Sequence, residues 1–413
     1  MAERRVCRFC GATKGHPVVD LGMQPPSNRF LGPDQLNQGE MFFPLRAWVC
    51  TDCWLVQLED FQSPEDLFAN DYVYFSSYSD TWRDHARRYA GAMTARYGLD
   101  ADSLVVEIAS NDGYLLEYFK QGGVPVLGIE PAANVAAVAV AERGIPTEVR
   151  FFGRETAGDL VRRGKAADLI AANNVLAHVP DLNDFVGGFK RLLKPAGTIT
   201  FEFPHLLRTM EGNQFDTIYH EHFSYLSVLA AERILAAHGL AIVDIEELPT
   251  HGGSVRLHVA HAEAGRAPGP AVARVLAEER AAGLDRVEGY EAFGRRVAEV
   301  KRRLLTFLIE ARDAGKRVAG YGAPAKGNTL LVYCGVREDL LDYTVDRSPH
   351  KQGKFLPGTH IPVHPPERIL QTKPDYVLIL PWNLRDEVMD KMAAIRDWGG
   401  RFVLPIPDVR VMP

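Results

Sequence analysis

The chain lacks most of the features that mark membrane, secreted and nucleic-acid-binding proteins. It contains no run of eighteen apolar residues, so no membrane-spanning helix is expected. Its first residues, Met1 to Cys7, carry no apolar segment, so no secretory leader and a cytoplasmic location are expected. The net charge is −6, which gives no basic excess to hold a nucleic acid. Cysteine is scarce, with five in 413 residues, too few for a disulfide scaffold. What remains is ordinary for a water-soluble globular chain, with 46% hydrophobic and 24% charged residues. The length exceeds one ordinary core, so two or three domains are expected.

Four of the five cysteines form two Cys-x-x-Cys pairs, Cys7/Cys10 and Cys50/Cys53. Two such knuckles can place four thiolates in a tetrahedron, as a closed structural zinc site requires. The long loop between them costs little, because closure entropy grows only logarithmically. Reduced, packed cysteines are the plain alternative. Cys334 lies in an apolar helical stretch and reads as core. The aromatic run from Tyr72 to Trp82, which includes Tyr78, suits a pocket wall or an interdomain seam equally.

From about residue 85, strands alternate with helices. Residues 103–108, 126–130, 168–174 and 198–203 read as buried strands, with amphipathic helices between them. This predicts an α/β unit with a mostly parallel, doubly wound sheet. Ligands of such sheets bind at the carboxyl ends of the strands. Gly113, Glu130, Asn174 and His178 fall there. The first strand–helix turn lacks Gly-x-Gly-x-x-Gly, so it does not cradle a pyrophosphate. An acid at the second strand end, Glu130, can accept from two ribose hydroxyls. A ligand with a ribose but no phosphate fits, and S-adenosylmethionine is one.

Residues 215–225, Phe-Asp-Thr-Ile-Tyr-His-Glu-His-Phe-Ser-Tyr, gather titratable groups with no helical or strand period. Such groups are costly to collect unless they are solvated or used. The segment follows the fifth strand, at the carboxyl edge of the sheet, and suits acid–base chemistry with His220 or His222 as the base. Histidines at 178 and 251 are further participants. Beyond a small-residue linker at 263–270, a long helical tract at 271–314 leads to a second, smaller doubly wound unit. There Gly320, Gly322 and Gly327 form a turn that, with Lys326, could hold a phosphate. Glycines needed only for packing are the alternative.

Taken together, these stretches resemble a known family. The cysteine-rich start, Glu107 to Gly113, Ile129-Glu130-Pro131, Asn173 to His178, Asp216 to Tyr225, His251 to Arg256 and Gly320 to Asn328 occur in the order found in S-adenosylmethionine-dependent sugar C-methyltransferases. The resemblance covers nearly the whole chain. It implies a zinc-binding domain at 1–80, a Rossmann-like methyltransferase domain at 81–262 and a smaller α/β nucleotide-sugar-binding domain at 263–413. Cys7, Cys10, Cys50 and Cys53 match the zinc ligands. His222 matches the base, with Tyr219 and Glu221 beside it. Glu107, Asn111, Gly113, Glu130 and Asn173 are the expected S-adenosylmethionine contacts. Tyr78, Asn174, His178, Tyr321, Lys326 and Asn328 are the expected contacts to a TDP-linked 4-keto-deoxysugar. The implied reaction methylates a ring carbon, C-3, beside the ketone. The oligomeric state is left open between monomer and dimer.

Carbon methylation needs a carbon nucleophile. Imidazole is a weaker base than the enolate by on the order of ten pKa units, each worth ~1.36 kcal/mol. A base alone is therefore insufficient, and a donor must meet charge on the ketone oxygen. Tyr219, His220 and Asn174 are candidates, with Glu221 available to orient an imidazole. Methyl transfer to oxygen or nitrogen, or a non-catalytic nucleotide-sugar-binding protein, are the alternatives.

Overall fold

The computed structural model describes residues 5–61 and 75–413. Tyr72, Val73 and Tyr74 of the aromatic run lie outside the described residues. The N-terminal part is an antiparallel sheet of β1 (Gly15–Gln24), β2 (Phe43–Cys50) and the short β3 (Val56–Gln57).

The central part opens with α1 (Asp80–Tyr97), capped by the Ser79 side chain on the Trp82 N–H and closed by Gly98 in the left-handed region. There follow β4 (Val105–Ile108), α2 (Leu116–Gln121), β5 (Val126–Ile129), β6 (Thr147–Glu148), β7 (Ala167–Asn173) and β8 (Leu193–Pro204). All four residues of β4 are buried, as expected for a strand covered on both faces. Next come β9 (Ser224–Tyr225), α3 (Val228–Ala237), β10 (Leu240–Leu248) and β11 (Ser254–His261). The sheet runs β10-β11-β8-β7-β4-β5-β6. The strands from β4 to β8 are parallel, whereas β11 is antiparallel to both β8 and β10. Strand order reverses between β4 and β7, which places a ligand crevice at their carboxyl ends.

Strand β9 does not join this sheet. It pairs antiparallel with β3, Val56 opposite Tyr225 and Gln57 opposite Ser224. The His-rich segment therefore ends as the outer strand of the N-terminal sheet.

The C-terminal part begins with α4 (Pro270–Ala281) and α5 (Glu288–Asp313). The single helical tract expected there is two helices. Gly283 takes a left-handed φ of +86°, and a Cβ on Gly289 would lie 2.1 Å from the Gly283 oxygen, so the tract turns sharply between the two. Then come β12 (Val318–Tyr321), α6 (Ala325–Cys334), β13 (Thr344–Val345), β14 (Val363–His364), β15 (Tyr376–Ile379), β16 (Arg401–Leu404) and β17 (Arg410–Met412). Their order is β14-β13-β12-β15-β16-β17, parallel apart from β17. Cys334 is buried. One apolar core runs through the N-terminal, central and C-terminal parts. Among the described residues no helix is long and apolar enough to cross a membrane.

Candidate functional site

The four paired cysteines converge. Cys7 and Cys53 Sγ are 3.5 Å apart, Cys10 and Cys50 Sγ 3.6 Å, and all four lie within 4.8 Å of one another. A tetrahedron of ~2.3 Å Zn–S bonds has edges of ~3.8 Å, so the thiols fit a zinc ion without rearrangement. The hydrogen bond from Cys53 is the main cause that holds the Cys7 thiol down to about 4. The Gln57 amide also donates to Cys7 Sγ at 3.2 Å. Gln57 is a residue of β3, so the cluster and the β3–β9 pairing share a residue.

The loop after β4 supplies the second site. Ala109, Asn111 and Gly113 all have positive φ, which for the first two is strain that surrounding contacts must hold. Glu130 receives the Asn111 N–H at 2.9 Å and the Ala132 N–H at 2.9 Å, one on each carboxylate oxygen. Its remaining lone pairs are available to hydroxyls. The Asn111 side chain accepts from the Ser76 N–H at 2.8 Å, and Asp112 accepts from the Ser77 N–H at 3.3 Å, so the 75–79 segment covers this loop. Gly113 departs from the expectation of close ligand approach. A Cβ there would meet Ile145 at 3.0 Å and Ala139 at 3.2 Å, so this glycine serves the turn and the packing beneath it. Glu107 is buried on β4, and burial, then Asp112 and Glu130, push its carboxyl well up. One Glu107 oxygen, one Asp112 oxygen and both amide atoms of Asn173 are buried without partners among the described residues. Leaving such atoms unpaired costs on the order of 1–3 kcal/mol each, so they are candidates to meet a ligand. Acidic groups and open acceptors suit the cationic S-adenosylmethionine, which supplies an electrophilic methyl group when bound.

The third site is built on the His-rich segment. His222 Nδ1 lies 2.8 Å from the Thr217 carbonyl oxygen. A carbonyl can only accept, so Nδ1 carries the proton and Nε2 keeps its lone pair. Burial, followed by His178, holds His222 neutral well below its usual range. The Tyr219 ring lies 4.0 Å from the His222 ring and His178 lies 4.6 Å from it, edge-on. His178 also bonds the main chain of Glu221, and burial holds it down to about 4. His220 is placed differently. It is buried, its Nε2 faces the Pro44 carbonyl at 3.2 Å, and its ring meets Phe43 edge-on. Its Nε2 is engaged there, whereas its Nδ1 is buried with no partner among the described residues. Glu221 does not orient an imidazole. Its carboxylate accepts from Asn28 Nδ2 at 2.6 Å, and burial pushes it up to about 7 against Asn28 and Lys351. The group that orients His222 is the Thr217 main chain, which has no side-chain signature in the sequence.

Asn174 and His251 face each other across the crevice, Nδ2 to Nε2 at 3.5 Å, and both adopt left-handed backbone at φ 54° and 53°. Trp82 packs 5.1 Å from His251 and 4.9 Å from His85. His85 and Arg256 both bind the buried Glu202, at 2.8 and 2.6 Å. Asn174, Asp216 and Asn328 each keep a buried polar atom without a partner. Tyr321 is buried at the end of β12, whereas Tyr78 is 53% exposed and stacks on Phe75.

In the glycine turn before α6 the Ala323 N–H is donated to Asp346 at 2.7 Å, so one of the turn's donors is already taken by a carboxylate. A Cβ on Gly322 would strike Pro381 at 2.5 Å, and one on Gly327 would strike Leu380 at 2.9 Å. Packing explains these glycines.

The comparisons follow the same division. A C-methyltransferase C-terminal domain profile matches residues 249–407, a methyltransferase domain profile matches 82–245, and a candidate zinc binding domain profile matches 7–68. The C-methyltransferase NovU of Streptomyces niveus is 38% identical over 406 residues, covering 98% of this chain and 96% of NovU. The chain belongs to the C-methyltransferase family. A ubiquinone biosynthesis O-methyltransferase of Methylobacterium nodulans is 33% identical over 134 residues, which is 32% of this chain and 51% of that enzyme. The magnesium protoporphyrin IX methyltransferase of Synechocystis PCC 6803, solved with bound SAM, aligns with 48% of this chain and 88% of its own at 15% identity and a TM-score of 0.34. As a member of this family, the protein is an S-adenosylmethionine-dependent methyltransferase with a zinc-binding N-terminal domain and an α/β fold.

Proposed function

We propose that the enzyme methylates the ring carbon beside the ketone, C-3, of a TDP-linked 4-keto-deoxysugar, with His222 as the base. The observation that carries this is the Nδ1 contact of His222 to the Thr217 carbonyl, which leaves Nε2 its lone pair. His222 and Tyr219 are only half-buried, whereas His220 is buried against Phe43 and Pro44. Nε2 removes the C-3 proton, and the resulting carbanion is held facing the donor's methyl group. Tyr219 and His178 confine the imidazole from either side. Glu130 receives the ribose, Glu107, Asn111 and Asn173 receive the rest of the donor, and the Gly113 turn shapes their loop. Tyr78, Asn174, His178, Tyr321 and Asn328 meet the sugar nucleotide. The working division is 1–80 for zinc, 81–262 for the donor and 263–413 for the nucleotide sugar, in a cytoplasmic monomer or dimer that binds no nucleic acid.

The test is incubation with S-adenosylmethionine and a panel of TDP-4-keto-6-deoxysugars, with product mass and solvent-deuterium content as readouts. Methyl gain with loss of one carbon-bound proton is expected. A methyl on oxygen or nitrogen, with every carbon-bound proton retained, would rule the proposal out.

A further inference from the structure

Lys326 begins α6 and is half-buried, in contrast to a lysine that reaches out toward phosphates. Its Nζ donates to Asn383 Oδ1 and sits 4.3 Å over the Trp382 ring. The Trp382 indole N–H in turn donates to Asp216 Oδ2 at 2.7 Å. Asp216 is fully buried near the start of the His-rich segment, and its other oxygen has no partner. The His251 turn is pressed onto the same indole, since a Cβ on Gly252 would lie 2.6 Å from Trp382. The same turn reaches Asn174, whose Nδ2 lies 3.5 Å from His251 Nε2, so the Lys326–Trp382–Asp216 cluster adjoins the residues that follow β7. Burial lowers Lys326 to about 8, with Asp216 opposing. The ammonium is thus anchored on the indole against which the His251 turn packs, while the Ala323 N–H of the glycine turn before it is taken by Asp346.

We propose that Lys326, set in place by Asp216, Trp382 and Asn383, donates to the ketone oxygen of the sugar as the enolate forms, and does not hold the diphosphate. The inference rests on the C-methyl transfer proposed above. In the step, the C-3–H bond breaks and its proton goes to His222 Nε2. The electron pair left behind forms the C-3=C-4 double bond. The carbonyl π pair moves onto oxygen, where an N–H of Lys326 meets the charge. A preorganised cation that meets charge as it develops is suited to this. Trp382 and Asn383 hold the ammonium by a ring face and an amide oxygen, with the Asp216 carboxyl on the far side of the indole N–H.

The experiment uses the full-length, zinc-loaded enzyme with S-adenosylhomocysteine in the donor site. The exchange of the C-3 proton for solvent deuterium is followed at saturating TDP-4-keto-6-deoxysugar, and TDP binding is measured separately by calorimetry. Lys326→Met is expected to slow exchange by about 100-fold. TDP affinity should stay within about twofold of the wild type. Removing the cation alone strands Asp216, so the neutral pair Asp216→Asn/Lys326→Met carries the test where the single variant does not fold. The same loss of exchange is expected from it. Exchange at the wild-type rate in a variant whose TDP affinity has fallen overturns the proposal and returns Lys326 to the diphosphate. A wild type that shows no exchange while it methylates a hydroxyl removes the C-methyl reaction itself, and this role with it.

Discussion

In the proposed role His222 has to arrive without a proton to give, and burial and a main-chain acceptor are what leave its ring neutral. The Thr217 carbonyl fixes the tautomer, and burial keeps the ring uncharged. Replacing His222 by Ala is expected to lower turnover by about 10³-fold while S-adenosylmethionine affinity stays near wild type, as read by steady-state kinetics and calorimetry. Full activity in that variant would move the base to His178, because His220 bonds Pro44. Glu221 offers a different test. Its folded pKa is raised to about 7, mainly by burial. A carboxyl raised in this way favours the folded state most when protonated. Its contribution is complete below the unfolded value, ~4.3, and is lost as pH rises through about 7. Glu221→Gln should therefore gain thermal stability relative to wild type between pH 5 and pH 8, followed by melting temperature. A pH-independent difference would show that the carboxyl is not strained by its site. At this scale the sequence was legible where residue types gather in the chain: the clustered Tyr219, Glu221 and His222 stand out by type, and the paired cysteines by spacing. The Thr217 carbonyl, the Asn28 contact to Glu221 and the Trp382 contact to Asp216 have no local signature, since each depends on which distant group the fold delivers.

Among the elements, the turn at 250–253 joins the central and C-terminal parts. Gly252 has φ +89° and leaves no space for a Cβ beside Trp382 at 2.6 Å and Gln214 at 2.7 Å. Gly252→Ala is expected to cost about 1–3 kcal/mol of stability and to displace His251 from Asn174. Urea denaturation and turnover measure the two effects, and a variant unchanged in both would show that the turn yields easily. The same scale shows why some elements were readable. The mostly apolar, buried runs of β4, β5, β7, β12 and β15 announce a parallel sheet, because strands covered on both faces are apolar along most of their length. The two residues of β9 announce nothing, since their partner β3 lies far earlier in the chain and a pair so short has no period. The split between α4 and α5 was visible only as glycines at 283 and 289, which helices tolerate often enough to pass unnoticed.

Across the whole molecule, zinc and the His-rich segment are mechanically joined. Gln57 donates to Cys7 and pairs with Ser224, and the Leu58 N–H donates to the Phe223 carbonyl at 3.0 Å. Roughly one zinc per chain is expected by atomic emission, as four thiolates complete one tetrahedron. Cys50→Ala or chelation should remove the metal and lower both melting temperature and turnover, because ligand release frees the strand that anchors the base. Retention of full activity in a demonstrably metal-free protein would separate the two sites. The order of motifs along the chain made this three-part layout legible; the contacts between the parts were not, because they are made between residues more than a hundred positions apart.

The position of β9 also bears on how the chain can be divided. A fragment that stops before the central part would present Val56 and Gln57 as a bare strand edge, with unsatisfied N–H and C=O groups that recruit other chains. The remaining fragment would carry the matching strand with no sheet to enter. Two such pieces, produced together, are natural candidates for complementation: each lacks what the other exposes, and recovery of methyl transfer on mixing would report the re-formed seam. Cuts placed at a boundary drawn from sequence order alone sever a sheet whose strands are contiguous in space and not in the chain.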